Sequence, residues 1–237
     1  MDKMIRYNHQ GDSYFKVLAE TTQQWIPGDS LSVWEAHMTD PNKRSLLDKL
    51  GWTTENISYR FNRYGFRSDE FEGEGTVFLG CSLTMGVGID WERTWAYQVA
   101  TALGTCCWNL GNSGAANDTC FRLANYWLPI LKPKRVFMLS TFNHRIELIT
   151  PEQIVPLKNP EDGPFFRQWI EVRDNCELNE LKNIMAIQLL CNKFSIDLTI
   201  KSVHDRAKDP DDLGRDLLHR GPKWNMSCAE DFLKVIK

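Results

Sequence analysis

Residues 1–70 carry polar and aromatic positions without a sustained period, and Pro27-Gly28, Asp40-Pro41 and scattered Asn and Asp residues interrupt them. From Thr76 the texture changes. TVFLG is a short apolar run that ends at a glycine, the mark of a buried strand. ERTWAYQVATALG sets Trp95, Val99 and Leu103 on one helical face and stops at Gly104. TCCWNLG predicts a second strand. The helix DTCFRLANYWLPIL, with Asn117 or Asp118 as its cap, lines one side with Phe121, Leu123, Ala124, Trp127 and Leu128; Pro129 should kink or shorten its end. RVFMLS predicts a third strand. LNELKNIMAIQLLCNKF predicts a helix with Leu178, Leu181, Met185 and Leu189 at helical spacing. The strand DLTIKSV and a helical SCAEDFLKVIK complete the chain.

Strand alternating with helix predicts an α/β fold, a mainly parallel sheet covered on both faces. The pattern divides the chain into an irregular N-terminal extension, 1–70, packed on a main domain, 71–237. In such sheets ligands bind beyond the carboxyl ends of the strands. The loops after Leu79, Leu110, Ser140 and Val203 are therefore the places to look for chemistry.

Composition narrows the function classes. The 237 residues are 42% hydrophobic and 25% charged with a net charge of -3, an ordinary globular balance without the basic footprint of a nucleic-acid or membrane-surface binder. The seven cysteines form no C-x-x-C pair, which argues against a disulfide framework and a tetrahedral zinc site and for thiols in a reducing compartment. MDKMIRYNHQGDSYF has no apolar signal-peptide core, and no apolar run is long enough to span a bilayer, so a cytoplasmic location is expected.

Two serines compete for a nucleophile's role. Ser30, in IPGDSLSVW, follows a polar stretch and a proline, a context for a turn or cap serine. Ser82, in TVFLGCSLTMGVGI, follows a strand directly, and Gly80, Gly86 and Gly88 allow tight turning around it. Rigid placement is what a nucleophile requires, which favours Ser82. After the second strand, NLGNSGAAND offers Gly114, where a backbone N–H can point into a site. After the third, STFNHR offers the Asn143 amide. After the fourth, DLGRDLLHRGPKWN holds Asp216 and His219 three residues apart, a spacing that brings carboxylate beside imidazole. A serine, a base and an acid holding the ring are the parts of a hydrolytic triad, and amide donors supply an oxyanion hole.

The ordered blocks GCSLTMGVGI, NLGNSG, FN and DLLH, from Gly80 to His219, resemble the four blocks of the SGNH/GDSL hydrolase family. FNRYGFRSDEF, Phe61 to Phe71, is similar to a lead-in found in some members. The resemblance implies a three-layer α/β/α, flavodoxin-like sandwich. It implies Ser82 as nucleophile with its own N–H in the oxyanion hole, Gly114 and Asn143 as further donors, His219 as base and Asp216 as its orienter. No metal or organic cofactor is implied. Two positions depart from the family: Cys81 replaces the Asp that usually precedes the serine, and Thr141-Phe142-Asn143-His144 replaces Gly-x-Asn-Asp. Cys81 is expected to pack inward.

The function expected is hydrolysis of a carboxylic ester with a short acyl group, on a carbohydrate or another small molecule. Acyl transfer to a sugar through the same acyl-enzyme, or a binding module that keeps the fold without activity, are the alternatives. The segment 150–177 is a long connection that either walls the substrate pocket, with Phe165, Phe166 and Trp169 stacking on a sugar at the alcohol side, or is a surface excursion that packs these aromatics on the core.

Overall fold

A computed structural model describes residues 9–205 and 208–236. The chain begins with β1 (Thr22–Gln23), α1 (Leu31–Thr39), α2 (Pro41–Leu50) and β2 (Tyr59–Arg60), which pairs antiparallel with β1. It continues through β3 (Gly75–Leu79), α3 (Ser82–Met85), α4 (Trp95–Leu103), β4 (Cys106–Asn109), α5 (Asn117–Leu131) and β5 (Arg135–Ser140). The hairpin β6 (Ile146–Ile149) and β7 (Ile154–Leu157) follows, then α6 (Pro164–Glu171), α7 (Arg173–Lys193), β8 (Asp197–Ser202) and α8 (Pro222–Leu233).

The central sheet has the order β4-β3-β5-β8 and every pairing in it is parallel. Because side chains alternate across a strand, β3 and β5 feed two separate cores. Phe78, Phe137 and Leu139 face α4 and α8, meeting Trp95, Val99, Trp224 and Phe232. Val77, Leu79, Val136 and Met138 face α5 and α7, meeting Leu123, Trp127, Ile187 and Cys191. The result is the expected three-layer α/β/α arrangement. In register, Phe78 sits opposite Phe137 with ring centroids 5.7 Å apart, and Trp95 stacks on Phe232 at 4.6 Å. Truncating either inward phenylalanine to Ala should cost about 3–5 kcal/mol.

Four expectations need correction. The N-terminal residues are not irregular throughout. Asp40 caps α2 through Asn42 and Lys43 N–H, and Gly51 ends that helix in the left-handed region at φ 85°. Their Ile26, Leu47, Trp52, Ile57 and Tyr59 form a third core with Met85, Val87 and Ile89, the residues around the exit from α3. The N-cap of α5 is Ala116, not Asn117 or Asp118. Asn117 instead exchanges hydrogen bonds with the Thr141 backbone, and Asp118 binds Asn179 and Asn183. Those bonds explain the third correction. The stripe Leu178, Leu181, Met185 and Leu189 is exposed (63%, 54%, 52% and 66%), and α7 buries Cys176, Asn179, Asn183, Ile187 and Cys191 instead. Satisfying Asp118 with two amides fixes the helix's rotation against α5, and nothing among the described residues covers the apolar stripe. Finally, α8 starts at Pro222, earlier than the apolar pattern suggested, because Asp212 accepts from Lys223 N at 3.1 Å and Trp224 N at 2.6 Å and so caps it.

Candidate active site

β3 runs into the turn Gly80-Cys81 and then into the single-turn helix α3, whose first residue is Ser82. The turn admits only glycine at position 80. Its φ is +155°, and a Cβ there would lie 2.1 Å from Thr84 Oγ1. Cys81 is fully buried among the residues between the sheet and α4 and belongs to the core, as expected. Gly86 closes α3 in the left-handed region, and both Gly86 N–H and Val87 N–H donate to Ser82 O, at 2.9 and 3.0 Å.

Arg67, from the lead-in segment, holds this turn from beneath. It is buried, and its guanidinium donates to Gly86 O at 2.5 Å, Ile89 O at 3.0 Å and Ser58 O at 3.1 Å. Burial pulls its pKa below the ordinary guanidinium value, with Tyr59 and nearby acids opposing. Its neighbour Ser68 donates to Cys107 O and accepts from Asn109 N, tying the same segment to β4.

The second loop is fastened to the first. Asn112 N–H donates to Gly80 O at 3.2 Å, and Asn109 Nδ2 donates to Thr84 O at 2.8 Å. Gly114 lies in this loop at φ +78°. Among the described residues, neither Ser82 N–H nor Gly114 N–H has a hydrogen-bond partner. Unpaired backbone donors at a buried turn are what an oxyanion site requires. The third loop is fastened to the second: Thr141 Oγ1 donates to Ala115 O at 3.1 Å beside the Asn117–Thr141 exchange. Asn143 lies two residues beyond, half-buried in a turn, and its side-chain amide has no partner among the described residues.

The fourth loop carries the acid and the imidazole. His219 Nδ1 donates to Asp216 Oδ2 at 2.5 Å, while Asp216 Oδ1 accepts from His219 N at 3.0 Å and Leu218 N at 3.2 Å. Asp216 is buried. Burial would raise its pKa, but the hydrogen bond and charge of His219, with the two backbone donors, hold it below the ordinary carboxylate value. A carboxylate on Nδ1 fixes that nitrogen as the donor and leaves Nε2 as the acceptor of the neutral ring. Leu217, between them, takes the left-handed conformation at φ +54°. The loop closes on itself through Gly214 N–H to His219 O at 3.0 Å and Gly221 N–H to Asp212 O at 2.8 Å.

This loop docks on the exit from α3. Arg215 N–H donates to Gly88 O at 2.8 Å. The two glycines that meet there permit the approach: a Cβ on Gly88 would lie 3.0 Å from Asp216 Oδ1, and one on Gly214 would lie 3.0 Å from Gly88 O. The Asp216 carboxylate therefore rests against Gly88, on the segment that leaves the short helix begun by Ser82. No hydrogen bond joins Ser82 Oγ to His219 Nε2 in this structure; such bonds often tighten only when substrate binds.

Ser30 has a different setting. Its hydroxyl caps α1, accepting from Val33 N–H at 3.3 Å. The residue before it matters more. Asp29 is buried and accepts from Arg215 Nη2 at 2.7 Å and Nε at 3.1 Å, and from Tyr59 OH at 2.5 Å. Tyr59 OH in turn accepts from Gly88 N–H at 2.9 Å. Asp29 thus joins both sides of the Gly88–Arg215 contact. Asp29, Tyr59, Arg67 and Arg215 escaped the sequence reading, because each acts through partners 9 to 191 residues away. The acids near Asp216 have their own tasks, Asp211 pairing with Lys49 and Asp212 capping α8. Among the described residues no cluster of three or more His, Cys, Asp or Glu side chains is arranged to hold a metal ion, and no helix is long and apolar enough to cross a membrane. All seven cysteines are free thiols.

Of the aromatics in segment 150–177, Phe166 is 1% exposed and stacks on Trp169 at 6.1 Å, so it cannot meet a sugar, while Phe165 is exposed and Trp169 half-buried. The part of the segment that walls a cleft near Gly114 is its start, Glu152 to Lys158 at the end of the β6–β7 hairpin, which with Tyr14, Pro27, Gly28 and Ser113 lines a volume of about 630 Å³; none of the three aromatics lines it.

Structural comparison finds solved structures that are esterases and acylhydrolases. A protein described as lipolytic and of the G-D-S-L family, from Desulfitobacterium hafniense DCB-2, is 12% identical with a TM-score of 0.40, over 69% of this chain and 99% of that one. The psychrotrophic esterase EstA from Pseudoalteromonas sp. is 13% identical with a TM-score of 0.40, over 69% and 97%. An acetyl xylan esterase, Est2A from Butyrivibrio proteoclasticus, is 14% identical with a TM-score of 0.39, over 69% of this chain and 63% of that one. No family model and no curated protein sequence matches the chain. At these identities and scores a likeness fixes neither substrate nor mechanism.

Proposed function

We propose that the chain is an SGNH/GDSL-type serine hydrolase of carboxylic esters, with Ser82 as nucleophile. The observation that carries this reading is the Asp216–His219 pair, bonded at 2.5 Å with its carboxylate buried, on a loop that docks on Gly88 just beyond the short helix that begins at Ser82. The nucleophile attacks the acyl carbonyl, and His219 Nε2 takes its proton. Negative charge on the tetrahedral oxygen falls to Ser82 N–H and Gly114 N–H, with the Asn143 amide as third donor. His219 then protonates the leaving alcohol and activates a water that releases the acid. The bond from Oγ to Nε2 is not formed in this structure and has to form on substrate binding.

The substrate proposed is a short-acyl ester, an O-acetyl carbohydrate or a similar small molecule. The cleft beside Gly114 is lined by Lys16, Asp12, His9 and Lys158 as well as Tyr14 and Pro156, which suits a polar alcohol better than a long acyl chain. The test is kcat/KM on p-nitrophenyl acetate and on an acetylated sugar. Ser82→Ala and His219→Ala should each lose about 10⁴-fold or more, as triad members do, and Ser30→Ala should retain activity. Turnover that survives Ser82→Ala would take the nucleophile's role from Ser82, and absence of turnover in the native chain would leave a binding module as the reading. An acceptor sugar that outcompetes water would make the enzyme an acyltransferase.

A further inference from the structure

We propose that Lys158 is a specificity residue that binds an anionic group of the ester substrate beside Gly114. This rests on the esterase reading above and adds a substrate class to it. Lys158 Nζ lies 3.3 Å, and its Cδ 3.7 Å, from the point that a Cβ on Gly114 would occupy. The ammonium therefore sits within contact distance of where a side chain on Gly114 would begin, at the residue whose unpaired N–H is proposed to hold the oxyanion.

The placement is built, although the lysine itself is exposed. Asp162 Oδ2 accepts from Lys158 N at 2.6 Å and Asn159 N at 2.9 Å, which fixes the backbone where it leaves β7. These two bonds lower the Asp162 pKa, so the anchor stays charged. The hairpin behind it is held by Glu147, which is buried, pairs with Arg122 at 2.6 Å and accepts from Tyr14 OH at 2.7 Å. The other basic side chains of the cleft are engaged: Lys16 and His9 both contact Asp12, at 2.9 and 3.0 Å. The Lys158 ammonium has no ion pair or hydrogen bond among the described residues. Asp12 and Glu152 also bring carboxylates to the cleft, and the Asp162 carboxylate behind Lys158 feels the ammonium's charge without bonding to it, so Lys158 is a basic side chain of the cleft left without a direct ion pair among the described residues. An unpaired ammonium at a half-enclosed site attracts a carboxylate or phosphate on the substrate and does nothing for a neutral one.

Three esters separate the cases: neutral p-nitrophenyl acetate, the mono-p-nitrophenyl ester of succinate with its charge on the acyl side, and 2-acetoxyethyl phosphate with its charge on the alcohol side. For one of the two anionic esters, Lys158→Met should raise KM and lower kcat/KM about fivefold, the scale of a partly exposed ion pair. Which ester responds tells whether the anion belongs to the acid or the alcohol. The neutral ester should change less than about twofold, Lys158→Arg should keep the preference, and added salt should erode it. Equal losses on neutral and anionic esters, or no loss on either anionic ester, would overturn the proposal while Ser82-dependent turnover of the neutral ester upheld the esterase reading. A native chain that hydrolyses none of the three would overturn both.

Discussion

Removing the Asp29 carboxylate should destabilise the protein far more than removing the Ser30 hydroxyl, although the two residues are adjacent. Asp29→Ala leaves the Arg215 guanidinium without its partner in a place where its side chain is only 3% exposed. It also leaves Tyr59 OH without its acceptor. Arg215 keeps one bond, from Nη2 to Gln24 O at 2.6 Å, and its place 3.7 Å above the Trp25 ring, which offsets part of the loss. Breaking a buried ion pair by deleting one member typically costs about 3–5 kcal/mol, because the remaining charge is buried and unpaired. The Tyr59 bond adds about 1 kcal/mol. The retained contacts pull the total back, so about 3–5 kcal/mol is the expected cost. Ser30→Ala removes a cap bond of 3.3 Å at a partly exposed helix start, worth about 0.5–1 kcal/mol. Urea unfolding followed by tryptophan fluorescence measures both. Asp29→Ala combined with Arg215→Leu should lose less than the sum of the two single changes, because the second removes the orphaned charge. Equal midpoints for Asp29→Ala and Ser30→Ala, or strict additivity of Asp29→Ala with Arg215→Leu, would refute the view that Asp29 anchors the loop of Asp216 and His219.

Asn143→Ala should lower kcat by about 10²–10³ with a smaller change in KM if the amide meets the oxyanion; an effect confined to KM would make it a binding residue. The pKa of Asp216 is depressed in the folded state, so its carboxylate contributes stability above the unfolded value of about 3.9. That contribution fades as pH falls through the folded pKa, and stability of Asp216→Asn should therefore respond less to acid below about pH 4 in a urea titration across pH. Acyl-chain length supplies another test: kcat/KM on p-nitrophenyl esters should favour acetyl and butyryl over chains of about ten carbons, since Asp12, Lys16, Glu152 and Lys158 line the cleft near Gly114 and charged walls do not reward each CH₂ by the roughly 0.8 kcal/mol of apolar burial. A steady climb to long chains would contradict it.

The sheet was legible because buried parallel strands are short apolar runs ending in turn residues, as in TVFLG and RVFMLS. The pairing of Asp216 with His219 was legible because three-residue spacing fixes it locally. What the sequence hid depends on distant partners. The rotation of α7 is set by Asp118 binding Asn179 and Asn183, so the leucine pattern pointed to the wrong face. Asp29 looked like part of a polar turn until Arg215 met it from 186 residues away. The hairpin β6–β7 was invisible because its residues are only half-buried and Pro156 interrupts β7. The roles of Ser30 and Ser82 separate on local grounds alone: one caps a helix after a polar loop, and the other follows a buried strand.

The most direct test of the central claim is stoichiometric labelling by a fluorophosphonate, read by intact mass and by mapping the modified peptide. The account predicts one adduct per chain, on Ser82, formed by the native protein and by Ser30→Ala, and lost in Ser82→Ala. It also predicts a steep fall in the labelling rate of His219→Ala, because the hydroxyl then has no base. An adduct on Ser30, or labelling that persists in Ser82→Ala, would contradict it.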